Sequence, residues 1–272
     1  MRHRPLPISW CAVRNNWLND LVGHALFGTL LLLFVAPAEA GFPLSTEDPG
    51  TLGLGRSKFE LTVEHGVDRA QGVRERGVVQ ETSIIHGLLD NLNVFLTLPY
   101  RNMRSDEAGA GSAHFRGVGD AKLGMKWRYF EQHGLSLGLK AVVTLPTGDD
   151  AVLVGSGKPT QAVNALASYE SGPWEFDLDL GYKRNGNTLN QREHLGSVSV
   201  ALVRSLDSRW KILADIGVAS NKNKASNQAP AYLGAGLSLT ITKAVLLNLG
   251  VRQALSSVET DFTGLVGVDY RF

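Results

Sequence analysis

The sequence predicts an all-β fold: a transmembrane antiparallel up-and-down β-barrel of about twelve strands, following a cleaved signal peptide. Three observations lead there. Beyond residue 40, apolar and polar residues alternate with a period of two in run after run, the pattern of strands with one apolar and one polar face. No stretch of that region sustains a helical apolar period or reaches the roughly 18 apolar residues that mark a spanning helix. The connections between runs alternate between short and long, as the turns and loops at the two ends of a membrane barrel do.

The leader comes first. Arg2, Arg4 and Arg14 precede an apolar run from Ala25 to Val35, too short to span a bilayer and suited to a signal-peptide core. Ala38-x-Ala40 supplies the small-residue site for cleavage after Ala40, which leaves residues 41–272 as the working chain. An uncleaved anchor or a buried helix is the alternative. Cys11, the single cysteine, lies in this leader, so no disulfide stabilises an exported barrel. Residues 41–56 carry Pro43, Pro49 and four glycines and show no alternation; they read as a periplasmic lead-in or as a plug reaching into the lumen.

Twelve alternating segments follow, near 57–66, 78–88, 93–104, 117–130, 135–146, 161–170, 174–184, 194–205, 210–220, 230–241, 245–255 and 262–272. In the fourth, Ala121, Leu123, Met125, Trp127 and Tyr129 share one face, and Asp120, Lys122, Gly124, Lys126 and Arg128 the other. The seventh repeats this with Trp174, Phe176, Leu178, Leu180 and Tyr182 opposite Glu175, Asp177, Asp179, Gly181 and Lys183. Each segment has about the 9–11 residues that a tilted strand needs to cross a bilayer. Four-residue or shorter turns join alternate pairs; 105–116, 147–160, 185–193 and 221–229 read as long loops.

Periodicity alone does not say which face is wet. In a soluble sandwich or lipocalin-like barrel the apolar face turns inward, and in a membrane barrel it turns to lipid. The aromatics favour the membrane: Tyr100, Trp127, Tyr129, Trp174, Tyr182, Trp210 and Tyr270 sit at strand ends, where interfacial girdles form. The last strand ends in Tyr270-Arg271-Phe272, and closure removes the sheet edges that lipid cannot solvate.

Composition agrees. The 272 residues are 43% hydrophobic and 19% charged, with 30 Gly and a formal net charge of +1. A mean hydropathy of −0.05 excludes a polytopic helical membrane protein, though not a barrel, whose strands are only half apolar. The near-neutral charge gives no whole-chain attraction for nucleic acid.

Several stretches resemble the bacterial outer-membrane family named for the meta-pathway of phenol degradation. They are Glu81 to Leu88 continuing through Asp90-Asn91-Leu92 to Leu98-Pro99-Tyr100, then Gly117-Val118-Gly119-Asp120-Ala121-Lys122-Leu123-Gly124, Leu145-Pro146-Thr147-Gly148-Asp149, Gly181-Tyr182, and Gly267 to Phe272. The resemblance implies an exported outer-membrane barrel with a transport role and leaves the solute open. It also makes Phe272 the signal read by the barrel-assembly machinery, with outer-membrane lipids, lipopolysaccharide and a small-molecule solute as the other partners.

The inward face carries the candidate chemistry: Glu60, Glu64, Glu81, Asp120, Lys122, Lys126, Arg128, Lys140, Glu175, Asp177, Asp179, Lys183, Asp215, Arg252, Asp269 and Arg271. A charge in that setting needs water or a partner. Either water fills a narrow channel in which these charges select solutes, or they pair and close it. In the first case the bases of the fourth segment face the acids of the seventh. Gly124, Gly138, Gly181, Gly217, Gly234, Gly236, Gly250 and Gly267, on the same face, leave lumen space or let the strands bend. Asp149 and Asp150 read as a solvated turn rather than a cation site.

A lipid hydrolase and a closed structural barrel are the competing classes. His65 and His86 face lipid in this phase and His194 precedes Ser197, yet no spacing joins serine, histidine and carboxylate, and no Cys/His cluster suggests a metal. The sequence therefore offers no catalytic residue, metal ligand or cofactor motif.

Overall fold

A computed structural model describes residues 42–70, 73–107, 111–151 and 154–272. The leader and its cleavage site at Ala38 and Ala40 lie outside the described residues. Thirteen strands follow one another: β1 (Ser57–Ala70), β2 (Val73–Leu89), β3 (Leu92–Glu107), β4 (Gly111–Val118), β5 (Lys122–Gln132), β6 (Leu135–Thr144), β7 (Thr160–Ser171), β8 (Trp174–Arg184), β9 (His194–Ser205), β10 (Trp210–Ala219), β11 (Ala231–Thr240), β12 (Val245–Ala254) and β13 (Phe262–Arg271).

Every pairing is antiparallel between neighbours, and β1 pairs with β13 to close the sheet. β4 and β5 lie end to end along β3. Tyr100–Glu107 pairs with β4, and Leu92–Thr97 with β5. The thirteen strands thus make twelve staves. At the seam, the Ser57 and Phe272 amides each donate to the other's carbonyl at 2.9 Å.

The period-two alternation places apolar side chains outside. Leu123 is 47% exposed and Leu180 47%, whereas inward Lys140 is 4% exposed. A water-soluble fold would have the reverse. An apolar outer wall with a polar interior makes this an outer-membrane-type barrel. Turns at one end are tight: His133 and Gly134 join β5 to β6 with φ of 53° and 81°, the left-handed pair that a two-residue hairpin needs. Both ends of the closing seam, Ser57 and Phe272, lie at this short-turn end, the periplasmic side in such barrels.

Two expected loops prove to be largely strand. β1, β2 and β3 run 14, 17 and 16 residues. With β4 they carry the sheet through 67–70, 73–77, 105–107 and 111–116, beyond the length needed for a bilayer. Charged residues on both faces mask the alternation there. A bulge between Arg128 and Phe130 adds one residue to β5.

Candidate functional site

The lumen is built around residues 42–56, which leave β1 at the short-turn end and travel along the inner wall. Gly55 donates to Gly87 O at 2.8 Å, Leu54 N to Asp90 Oδ1 at 3.1 Å, and Leu52 N to Asn93 Oδ1 at 3.1 Å. Farther round, Leu44 packs on Ala201, Val203 and Leu213 of β9 and β10. A Cβ added at Gly138 would stand 2.9 Å from Pro49, at Gly236 and Gly250 it would stand 2.5 and 2.7 Å from Pro43, and at Gly267 2.5 Å from Phe42. The segment forms a belt against nearly the whole circumference, and these four glycines are the track it lies in. Gly217 instead admits the Tyr232 ring, and Gly234 the Asp215 carboxylate.

Charges fasten the belt. Glu47 bridges two lysines, Oε1 to Lys126 Nζ at 2.7 Å and Oε2 to Lys140 Nζ at 2.6 Å. Lys126 also donates to Asp48 O at 3.1 Å, and its ammonium holds the Asp48 carboxyl below the usual carboxylate range. Asp215 Oδ2 accepts from Ser45 N at 2.7 Å, from Thr46 N at 3.2 Å and from Tyr232 Oη at 3.2 Å. Arg252 donates to Ser45 Oγ at 2.6 Å and to Glu64 at 3.1 Å.

The bases of β5 therefore do not pair across the barrel with the acids of β8. Lys122 Nζ lies 2.8 Å from Glu81 of β2, Lys126 is held by the belt, and Arg128 reaches Glu131 at 3.2 Å. On β8, Asp179 accepts from Asn164 at 2.6 Å and Glu175 lies 3.8 Å from Lys211. Asp269 lies 3.5 Å from Lys58. Among the described residues, Asp177 Oδ1 and Asp269 Oδ1 have no hydrogen-bond donor. Ser45, Glu47 and Asp48 line the lumen at positions that alternation could not mark, since they belong to an irregular segment, whereas Lys58 and Asn93 share the inward phase of their strands and were passed over. The acidic pair between Thr46 and Pro49 was the available signal.

Two cavities flank the belt and share no lining residue. Toward the short turns, about 640 Å³ is bounded by Glu47, Asp48, Lys58, Glu60, Lys126 and Arg271. Toward the loops, about 140 Å³ is bounded by Ser45, Glu64, Lys183, Tyr232, Arg252 and Glu259.

The loop after β6 folds against the break between β4 and β5. Asp120, 5% exposed, accepts from Gly148 N at 2.9 Å, Ser156 N at 2.7 Å and Ser156 Oγ at 2.6 Å. Ala121 N donates to Thr147 Oγ1 at 2.9 Å. The Gly-Val-Gly-Asp-Ala and Leu-Pro-Thr-Gly-Asp stretches thus form one joint. Asp120→Ala is expected to free residues 145–159, making proteinase K cut that loop several-fold faster while the barrel stays intact; an unchanged cutting rate would show that the joint does not hold the loop.

The aromatic residues fall at two levels of the outer wall. Trp127, Tyr129, Trp174, Trp210 and Tyr270 stand near the short turns, where Trp127 and Tyr129 are 5.6 Å apart and Arg204 lies 4.8 Å over Trp174. Tyr100 and Tyr182 stand toward the loops. His194 bonds the Tyr182 hydroxyl at 2.7 Å on the outer wall, facing away from inward Ser197, and His86 bonds Ser57 Oγ at 2.9 Å. These two histidines therefore serve outer-wall and seam contacts. Phe272 stacks on Tyr270 at 5.7 Å beside the seam.

Comparison with known proteins matches this architecture. An outer-membrane channel from Pseudomonas putida F1 superposes with a TM-score of 0.69 at 16% identity, covering 87% of this chain and 100% of that one. The translocator domain of the autotransporter NalP from Neisseria meningitidis gives 0.53 at 16% identity, covering 94% and 96%. The NanC porin gives 0.53 at 7% identity, covering 77% and 98%. No curated protein matches the sequence. At these identities the likeness establishes the barrel fold. The family model matches nearly all of the described chain, residues 43–272, and the chain belongs to the family described as "Putative MetA-pathway of phenol degradation".

Proposed function

We propose that this chain is a bacterial outer-membrane channel that passes small solutes, aromatic or hydrophobic ones among them, by passive diffusion through a narrow charged lumen. One observation carries the reading: a charged lumen with a cavity on each side of the belt of residues 42–49, one toward the short turns and one toward the loops. Carboxylate oxygens without a protein donor need water or ions. A lumen sealed by pairing would leave few such atoms. Lys122, Lys126, Arg128, Lys140, Glu175, Asp177, Asp179, Lys183, Asp215, Arg252, Asp269 and Arg271 are the selectivity residues in this reading, with Asp120 acting on the loop above them. The two aromatic levels anchor the barrel at the membrane interfaces, and Phe272 directs assembly.

The family's phenol link and the likeness to an outer-membrane channel support a solute role without naming the solute. The test is single-channel conductance in planar bilayers with and without small aromatic solutes. Wild-type protein is expected to give small, discrete conductance steps that aromatic solutes partly block. Lys122→Glu, Lys126→Glu and Arg128→Glu together are expected to shift the reversal potential in a salt gradient toward cations. No conductance in a correctly folded barrel would sink the channel reading, and an unchanged reversal potential would remove these residues from selectivity.

A further inference from the structure

The extended sheet of β1 to β4 bears an outward surface with a charge pattern unlike the rest of the wall. Alternate outward positions step abruptly from apolar to basic: Val67 to Arg69 on β1, Val78 to Arg76 and Arg74 on β2, Tyr100 through Asn102 to Arg104 on β3, and Val118 to Arg116 on β4. The step crosses four neighbouring strands. Five arginines collect just above the lipid-facing band.

The pairing makes the cluster costly by itself. Arg69 lies directly opposite Arg74, and Arg76 directly opposite Arg104. Like charges facing each other across a strand pair destabilise it. One outward carboxylate answers them: Asp106 bonds Arg76 at 2.7 Å and Arg104 at 2.9 Å. His114, opposite Arg104, is held by Asn102 at 2.7 Å. The other nearby acids of these strands, Asp68, Glu75 and Glu107, lie in the inward phase, Asp68 and Glu75 at 5% and 2% exposure, and Asp261 before β13 accepts from the Arg69 amide at 3.1 Å. Across the barrel the outward Arg184 is by contrast paired with Glu193 at 3.4 Å.

Planar guanidinium groups on adjoining strands suit phosphate oxygens, which they grip in bidentate fashion. Their height decides the source of the phosphate. The patch continues the lipid-facing wall by a single outward position on three of the four strands, at the loop end, where the head groups of the outer leaflet lie. We infer that Arg69, Arg74, Arg76, Arg104 and Arg116 form a binding site for the phosphorylated head group of an outer-leaflet glycolipid, seated on the outer surface of β1 to β4. The inference rests on the outer-membrane reading and is independent of transport.

The experiment uses the full-length mature barrel in detergent and follows its heat-induced unfolding by gel mobility. Three probes are added: bis-phosphorylated lipid A, the same lipid with both phosphates removed, and inorganic phosphate. The phosphorylated lipid is expected to raise the unfolding temperature by several degrees, and the other two to leave it unchanged. Arg104→Gln with Arg116→Gln is expected to lower the apparent affinity for the phosphorylated lipid about tenfold, while Arg184→Gln keeps it. The folded mobility band checks that each variant is intact, and Arg116→Gln alone, on exposed β4, serves if the double variant does not fold. Equal stabilisation by the dephosphorylated lipid or by inorganic phosphate would overturn the proposal, as would wild-type affinity in the folded arginine variants. A conductance failure would leave this outcome untouched.

Discussion

Gly236→Val combined with Gly250→Val is expected to raise single-channel conductance several-fold. Both glycines face inward on β11 and β12, and Pro43 rests on them with no room for even a β-carbon. A proline ring has no rotamer by which to withdraw, so two valines must lift the belt from the wall. Lifting Pro43 also draws Ser45 and Thr46 away from Asp215, which anchors both amides. The barrel itself should tolerate the change, because valine suits a strand at least as well as glycine does. Folding is checked by heat-dependent gel mobility. Wild-type conductance from a folded double variant would mean that the belt does not set the constriction.

Glu47→Gln has the second-largest expected effect, and it adds a change of ion selectivity to a rise in conductance. Glu47 neutralises two lysines at once, one of them almost wholly buried. Removing one member of a buried ion pair costs about 3–5 kcal/mol, because the remaining charge stays desolvated. The structure can lower that cost by releasing the belt and hydrating Lys126 and Lys140. Conductance should then rise, with the reversal potential in a salt gradient moving toward anions, since two cations are left facing the passage. Adding Lys140→Met removes the more buried of the two lysines and should restore part of the wild-type behaviour. An unshifted reversal potential in Glu47→Gln would show that these lysines do not meet the permeating ions.

The barrel was legible because lipid and lumen impose opposite demands on alternate residues. In the run from Lys122 to Tyr129, that demand is written at every position. The same reading placed Lys122, Lys126 and Lys140 on one face but could not name their partners. Glu47 lies 79 residues before Lys126, in a stretch with no period at all, and Glu81 reaches Lys122 from a different stave. The glycines were ambiguous for the same reason: Gly138 and Gly236 look like spaces until Pro49 and Pro43 are found in them. Above the membrane the alternation lost its contrast. Arg74, Glu75 and Arg76 are charged on both faces, so strand there resembles loop.

The bulge in β5 has a consequence for how this strand tolerates change in length. Trp127 pairs with Leu139 and Phe130 with Leu137, so Tyr129 is the residue added between two outward positions. It contributes one more ring at the membrane boundary without disturbing the phase on either side. A residue lost from the regular part of the strand, Leu123 for example, would turn the lipid face of one part of β5 into the lumen. Losing Tyr129 removes only the surplus residue, and this position is where the stave can shorten by one while every other side chain keeps its solvent.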